Sequence, residues 1–251
     1  MPALLRSSAL GVSLVALSLP VSAPPATAAV TIGATGGNGA ADCPPDFTWA
    51  QDSTAVGSPT YVVPAGGGVI TSWSHDRGPA SATAQLRLKV FRKTAPNMYL
   101  TVGQSDFESL AAAGVDSFAT RVKVEGGDIL GFRLTTAPVS CRRNGSTGDV
   151  AVASGPGQPD PPVGSPFAFG TVPGFLLNLA ATVEPDSDSD DFGDETQDQC
   201  PTSASTQGPC PVAASGSTGQ RAAALKRCKK KFPKVSKKRK RCIKKAKKLP
   251  V

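Results

Sequence analysis

The residues of this chain best suited to chemistry are carboxylates at alternating positions. Asp186, Asp188 and Asp190 occur at every second position at the start of a strongly acidic stretch. Calcium is a hard cation that takes six to eight oxygen ligands, so a loop must direct several carboxylates and carbonyls at one point. The spacing therefore predicts a calcium loop. We expect the backbone carbonyl of Phe192 to complete it, together with Asp194 acting through its carboxylate or a bound water.

The same passage, DSDSDDFGDETQDQCP, resembles the thrombospondin type 3 repeat, whose pattern is D-x-D-x-D-G-x-G-D followed by D-x-C-P. The matching positions are Asp186, Asp188, Asp190, Gly193, Asp194, Asp198, Cys200 and Pro201. The resemblance implies that the matched aspartates, including Asp198, are calcium ligands and that Cys200 forms a disulfide. Asp191 stands where the family has glycine, and Asp198 falls one residue later than in the family pattern. The alternative is a solvated acidic linker that holds calcium weakly or not at all.

A second charged region has the opposite sign. Of the 27 Lys and Arg residues, 16 lie between Arg221 and Val251, where no Asp or Glu occurs. Lysine predominates and Phe232 is the one aromatic residue, which favours diffuse attraction to polyanions over base stacking or sequence readout. The candidate polyanion-binding residues are Lys229, Lys230, Lys231, Lys237, Lys238, Arg239, Lys240, Arg241, Lys244, Lys245, Lys247 and Lys248.

For this basic tail we expect anionic cell-wall polymers or a membrane surface as partners, with nucleic acid less favoured. A solvated tail without a partner is the alternative. Ala, Leu, Lys and Arg favour helix. Two short helices are therefore predicted, one before Pro233 and one from about Ser236 to Lys248, clamped by Cys228–Cys242 against lysine repulsion.

The six cysteines allow 15 disulfide connectivities. Two of them lie in the long middle region, two beside the acidic stretch and two in the tail. This distribution favours pairing within each region. The predicted pairs are Cys43–Cys141, Cys200–Cys210 and Cys228–Cys242. Because the chain has one histidine and no Cys-x-x-Cys, a zinc site is disfavoured.

No enzyme signature is visible. His75 lies between Ser74 and Asp76. Adjacent residues of a strand point to opposite faces, so these three cannot form a triad with one another. We expect His75 at a strand end, in a loop. The aromatic residues that could stack on a sugar are Trp49, Trp73, Tyr61 and Tyr99, and we expect them in a core instead.

These charged regions need a scaffold, and the pattern between residues 29 and 183 predicts one. Apolar residues recur at every second position, which is typical of half-buried strands. The alternating sets are Leu86, Leu88 and Val90; Met98, Leu100 and Val102; Phe118, Thr120, Val122 and Val124; Leu130, Phe132 and Leu134; and Leu177, Leu179, Ala181 and Val183. Several short strands separated by Gly- and Pro-rich turns predict a mainly β protein, with an antiparallel β-sandwich or jelly-roll domain.

Three connections are less regular. Gly126-Gly127 suits a tight hairpin turn. Residues 105–113 fit either one short helix or a strand with a loop. The proline-rich residues 155–174 predict a long surface loop.

The start of the chain has the form of a secretory signal. Arg6 precedes an apolar run too short to span a bilayer, and Ala26-Thr27-Ala28 is an A-x-A cleavage site. The predicted organisation is a signal peptide at 1–28, the β-domain at 29–183, the acidic calcium-type loop at 184–212, a flexible linker at 213–220 and the basic tail at 221–251. This layout is also similar to that of secreted proteins of soil actinobacteria, which implies export and this domain order.

The sequence thus predicts an exported, disulfide-containing, non-catalytic binding or structural protein. It combines a weak calcium loop with a polycationic tail for anionic envelope polymers. One alternative is a carbohydrate-binding or carbohydrate-active domain. Another is an extracellular nucleic-acid or lipid binder that acts through the tail.

Overall fold

The computed structural model describes residues 28–36, 42–78, 84–110, 114–135, 139–211, 219–233 and 236–249. Within them the protein is mainly β, as predicted, with antiparallel sheets that include a curled half-barrel and two short helices near the C-terminus. Residues 1–27 of the predicted signal peptide, and most of the predicted linker, lie outside the described residues.

The strands are short and follow one another in chain order. They are β1 (Val30–Ala34), β2 (Asp42–Cys43), β3 (Phe47–Ser53), β4 (Gly68–Asp76), β5 (Gln85–Ala95), β6 (Met98–Gln104), β7 (Glu108–Ser109), β8 (Val115–Val124), β9 (Ile129–Thr135), β10 (Val139–Ser140), β11 (Arg142–Asn144), β12 (Val150–Ala153), β13 (Pro166–Ala168), β14 (Gly170–Pro173), β15 (Phe175–Leu177) and β16 (Leu179–Glu184). The helices are α1 (Gln220–Lys231) and α2 (Lys237–Ala246).

Two larger sheets carry most of these strands. The first has the order β1-β16-β4-β8, and the second has the order β13-β6-β5-β9-β3-β12-β14, with β7 paired to β5. Two small two-stranded sheets, β10-β2 and β11-β15, complete the topology. Because β16 is the second strand of the first sheet, the chain enters the acidic stretch directly from this sheet. The finer description as a sandwich or jelly roll stays a prediction.

The alternating patterns predicted several core faces correctly. Leu86, Leu88 and Val90 are fully buried on β5, and Leu130 and Phe132 are fully buried on β9. Such residues form the main apolar cluster, which joins side chains from both larger sheets.

The face of β6 predicted to be apolar does contact the main apolar cluster, through half-buried Val102, but the opposite face is buried more completely. Tyr99 and Thr101 are fully buried there, whereas Met98, Leu100 and Val102 are half-buried. The reason is tertiary: β13 pairs with β6, and the proline-rich segment before it packs against the same strand. The backbone N–H of Thr101, for example, donates to the Ser165 carbonyl oxygen at 3.2 Å.

The proline-rich segment is also more ordered than a surface loop, since residues 155–174 contain β13 and β14. It is held by Lys89, which alternates with the core residues Leu88 and Val90 along β5 and is nevertheless fully buried. The Lys89 ammonium donates to Asp160 Oδ1 at 2.5 Å, to the Pro161 carbonyl oxygen at 2.7 Å and to Gln104 Oε1 at 3.0 Å. Three acceptors therefore compensate for burial of this ammonium group.

Gly126-Gly127 forms a tight turn, with Gly127 at φ 93°, but the expected hairpin is wrong. The strand before the turn, β8, lies in the first sheet, and β9 after it lies in the second. The turn carries the chain between sheets because Asp128, fully buried, accepts from the Glu125 N–H at 2.8 Å and from the Arg92 guanidinium at 2.8 and 3.0 Å. Of the two options for residues 105–113, the described part contains the short strand β7 and no helix.

All three predicted disulfides are confirmed, joining Cys43 to Cys141, Cys200 to Cys210 and Cys228 to Cys242. The first closes a separation of 98 residues across the β-domain. In the chain-entropy model a loop of that length contributes about 4–5 kcal/mol to stability.

Candidate functional site

The acidic segment, residues 184–210, is attached to the β-domain by one buried carboxylate. Glu184, at the end of β16, is only 1% exposed. Its oxygens accept from the hydroxyls of Thr71 and Thr196 at 2.8 and 2.7 Å, and from the backbone N–H groups of Glu195 and Thr196, both at 2.9 Å. These donors lower the pKa of Glu184 against the opposing effect of burial, which is the largest single influence. The fold therefore stabilises the charged form of Glu184.

The chain passes very close to this carboxylate. A Cβ on Gly193 would lie 2.5 Å from Glu184 Oε2 and 2.5 Å from the Thr71 methyl group. Glycine is thus required at 193 because any larger side chain would collide with Glu184 and Thr71.

Further contacts hold the acidic segment against β8. The Gln197 side-chain amide donates to the Thr120 carbonyl oxygen at 2.7 Å. The Arg121 guanidinium lies 4.1 Å from the centroid of the Phe192 ring. Lys123 pairs with Asp191 at 2.5 Å, although both side chains are more than half exposed and solvent screens this pair. The acidic segment is therefore docked on a sheet.

Three of the predicted ligands lie together. Asp186, Asp188 and Asp190 each offer a carboxylate oxygen, and these atoms lie within 4.8 Å of one another. This separation is close to the span of two ligand distances of 2.3–2.6 Å through a shared calcium ion. The alternating spacing brings the three carboxylates to one side of the loop, as predicted.

Backbone hydrogen bonds hold two of these carboxylates in place. Asp186 accepts from the N–H groups of Asp190 and Asp191 at 3.0 and 3.1 Å. Asp190 accepts from the Phe192 N–H at 3.0 Å and from the Gln207 amide at 2.8 Å. Since a carboxylate has about four lone-pair positions, each keeps capacity for a cation.

Asp188 and Asp198 have fewer donors. The Cys200 N–H donates to Asp198 Oδ1 at 2.8 Å. Both oxygens of Asp188 and Oδ2 of Asp198 are buried without a hydrogen-bond partner, and Asp198 is only 4% exposed. Burial, followed by the charges of Asp190 and Asp198, raises the pKa of Asp188. The nearby Ser203 N–H opposes this rise in part, and its own hydrogen bond is to the Cys200 carbonyl oxygen at 3.0 Å. Buried anionic oxygens without donors are costly unless a cation neutralises them.

Two predicted ligands are placed differently. Asp194 accepts from the Ser187 N–H at 3.1 Å and from its hydroxyl at 2.6 Å, and it is not one of the three clustered aspartates. The carbonyl of Phe192 has no described contact that assigns it to the cluster. Asp198 is near enough to Asp188 to raise the pKa of that carboxyl.

Asp191, which stands where the thrombospondin type 3 pattern has glycine, has φ 69°. This is the left-handed region that glycine favours and that Asp tolerates better than most residues.

The basic hairpin, residues 219–249, consists of α1, α2 and the disulfide between Cys228 and Cys242. The predicted helices and their break at Pro233 are confirmed. Ser236 caps α2 by accepting from the Arg239 N–H at 3.2 Å. Among the described residues, no carboxylate forms an ion pair with this hairpin.

The predicted polyanion-binding residues lie on both helices and just beyond α2. All are exposed except Arg239, which is half-buried. The hairpin therefore presents a dense cationic surface with no internal counter-charge.

The residues considered for catalysis lie elsewhere. His75 is fully buried inside β4 and not in a loop, and neither ring nitrogen has a hydrogen-bond partner. Burial lowers the pKa of His75 to about 4, against smaller opposing influences from the backbone of Asn178 and from Asp76. Ser74 and Asp76 alternate with it along the strand and are half-buried. The three residues do not converge.

The aromatic side chains confirm the core interpretation. Trp49, Trp73, Tyr61 and Tyr99 are between 0% and 7% exposed. Trp49 stacks on Phe175 with ring centroids 4.8 Å apart. These four residues do not form a sugar-stacking platform.

Sequence reasoning missed Glu184 and Lys89. Both are buried charges at positions where a strand pattern predicts nothing unusual, and each has a partner from a distant segment, Thr71 for Glu184 and Asp160 for Lys89. The one sequence feature that could have indicated Glu184 is its position as an acidic residue at the end of β16, directly before Pro185.

None of the helices formed by the described residues has the length and apolar character needed to cross a membrane. No protein-family model, curated protein sequence or solved structure matches the chain.

Proposed function

We propose that this protein is exported and acts outside the cell as a non-catalytic binding protein. In this proposal the acidic segment holds calcium, and the basic hairpin attaches the protein to anionic envelope polymers. Three disulfides support an oxidising compartment. We further propose that the two larger sheets pack as a sandwich, since one apolar cluster joins their side chains.

The observation that carries the calcium proposal is the environment of Asp188. Its two carboxylate oxygens are buried without donors, and it lies between Asp186 and Asp190 in a cluster 4.8 Å across. A solvated linker would leave these oxygens in water. A divalent cation coordinated by all three aspartates would supply the missing positive charge.

Calorimetric titration of the mature protein with calcium tests this assignment. We expect one site with a dissociation constant of about 10⁻⁴–10⁻³ M, the range of extracellular modules. The variant Asp188→Asn/Asp190→Asn should lose the heat of binding. Asp106→Asn/Glu108→Gln, which removes two acids outside the acidic segment, is the matched control and should bind as the wild type does. Equal heats from the wild type and the Asp188/Asp190 variant would reduce the segment to an acidic linker.

The observation that carries the polyanion proposal is uncompensated charge. The hairpin region contains 16 Lys and Arg and no acid, and its cations form no ion pair with described carboxylates. Such attraction is Coulombic and is screened within about 8 Å at physiological ionic strength.

Sedimentation with isolated cell wall across a salt series tests the polyanion proposal. Binding should fall steeply as salt rises, and deletion of residues 221–251 should abolish it while the β-domain stays folded. A tail with scrambled order that keeps both cysteines should bind nearly as well, because the attraction depends on charge density. Equal retention of the deleted form and the full chain would remove the hairpin from this function.

The carbohydrate-binding alternative gains no support from the four aromatic residues in the core. The nucleic-acid alternative is tested by repeating the same salt series with DNA in place of the cell wall.

A further inference from the structure

The basic hairpin encloses a groove as well as a charged surface. A cavity of about 450 Å³ lies between its helices. We call this the hairpin groove, and its floor is formed by Ala224, Cys228, Phe232, Ala246 and Leu249. Purely electrostatic binding of a polymer does not require an apolar floor.

The groove stays open for local reasons. Ala224 and Ala246 are too small to fill the space between the helices, and the Cys228–Cys242 disulfide sets their separation at that level. At the other end, the Arg221 side chain donates to the Leu249 carbonyl oxygen at 2.8 Å. Leu249 is thereby held beside the start of α1.

Cations surround this apolar floor. Arg227, Lys231 and Lys245 line the groove, and the sequence from 221 onward has no acid that could pair with them. Leu249 is 37% exposed, and Phe232 is half-buried. An occupant that satisfies the site must carry negative charge beside an apolar group.

We propose that the hairpin groove binds the surface of an anionic phospholipid bilayer, with Phe232 and Leu249 entering the boundary between headgroups and acyl chains. Arg227, Lys231 and Lys245 then contact lipid phosphates. Basic residues near an anionic leaflet and apolar residues below them are the combination by which surface helices bind membranes. A wholly polar polymer would leave the floor in water. This inference rests on the polyanion function of the hairpin and adds a lipid surface to it.

The test separates lipid from polymer. The mature protein is titrated with vesicles of phosphatidylglycerol and phosphatidylcholine, and separately with polyphosphate, which has charge but no apolar part. Phe232→Ser/Leu249→Ser should weaken vesicle binding about tenfold and leave polyphosphate binding unchanged. Val56→Ser/Val115→Ser, which removes two exposed apolar residues outside the hairpin, should change neither.

A second variant keeps the test valid if the double substitution unfolds the hairpin. Phe232→Trp places a fluorescent side chain in the groove, and vesicles with brominated acyl chains should quench it. Trp49 and Trp73, buried in the β-domain, should not be quenched in the wild type.

The outcomes are distinct. No quenching of the Phe232→Trp variant, or equal vesicle binding by wild type and Phe232→Ser/Leu249→Ser, overturns the lipid inference while polyphosphate binding upholds the polyanion function. A wild type that binds neither vesicles nor polyphosphate overturns the polyanion function itself.

Discussion

The acidic segment and the basic hairpin are both short, highly charged and closed by a local disulfide, yet they are held in different ways. The acidic segment is docked on the first sheet through Glu184 and Gln197, and its aspartates are oriented by backbone donors. The hairpin is held by helix packing, one disulfide and the Arg221–Leu249 contact, and its cations point into solvent.

This difference determines what each region can recognise. Oxygens fixed a few ångströms apart select a cation by size and coordination number. Lysines on flexible stems form a diffuse field that attracts any polyanion and is weakened by salt. High charge density is common to both, and preorganisation is what distinguishes a site from an attractive surface.

The largest effect should come from releasing the acidic segment. Glu184→Ala leaves four donors without their charged acceptor, at a cost of about 4 kcal/mol. We expect a lower melting temperature, measured calorimetrically, together with weaker calcium binding. Unchanged polyphosphate binding by the same variant would show that the hairpin is independent of this docking. Normal calcium affinity would instead mean that docking does not organise the aspartates.

Removing each local disulfide sharpens the contrast. Cys228→Ala/Cys242→Ala should melt most of the hairpin helix, because a loop of this size loses about 3 kcal/mol of constraint and isolated helices shorter than about 12–15 residues are marginal. The change is measured as helical circular dichroism. Cys200→Ala/Cys210→Ala should leave the acidic segment docked through Glu184. Equal loss of ordered structure in both variants would contradict the proposed difference.

Acid should weaken the β-domain and spare the hairpin. The pKa of His75 falls from 6.5 in a solvated chain to about 4 in the fold, so the unfolded state binds a proton over this range and the native state does not. Stability should therefore fall as pH decreases from about 6.5 to 4, by about 2–3 kcal/mol.

The chain has one histidine, so His75→Leu isolates this contribution. Denaturant unfolding at pH 7, 5.5 and 4 measures it. The variant should show a flatter profile over this range, and a profile parallel to that of the wild type would assign the acid sensitivity to other groups. Protonation of Glu184, whose pKa is lowered, acts in the same direction at more acidic pH.

The smallest effect concerns the predicted mature N-terminus. The Ala29 N–H donates to Glu195 Oε1 at 2.5 Å. Cleavage after Ala28 would replace this amide with an ammonium group beside the acidic segment. A protein beginning at Ala29 should melt about 1–2 °C above one with a Gly-Ser extension, since exposed ion pairs contribute little. In a Glu195→Gln background the difference should disappear, and its persistence would exclude this contact as the cause.

Local sequence patterns predicted much of this structure. The three disulfides follow from how the cysteines are distributed along the chain. The two hairpin helices follow from composition and Pro233, and the clustered aspartates follow from alternation at Asp186, Asp188 and Asp190. Apart from the Cys43–Cys141 pair, which spans 98 residues, these features depend on neighbours close in sequence, where residue type and spacing limit the backbone directly.

The errors arose where distant segments meet. The apolar pattern of β6 indicated one buried face, but the opposite face is buried more completely, because the proline-rich segment and β13 cover Tyr99 and Thr101. His75 was predicted at a strand end in a loop, yet it is fully buried, and so is Lys89. In both cases burial was decided by the segments that pack over the side chain.

The sequence by itself determined that this chain is mainly β, which cysteines pair, and where its opposite charges are concentrated. Only the tertiary structure decided that the acidic segment docks on a sheet, because Glu184 obtains its donors from Thr71, more than a hundred residues earlier, and from the segment itself. Burial of both Asp188 oxygens without a hydrogen-bond partner is likewise visible only in the folded structure. Whether an atom is buried depends on every chain segment that packs around it, and a local sequence pattern does not specify those segments.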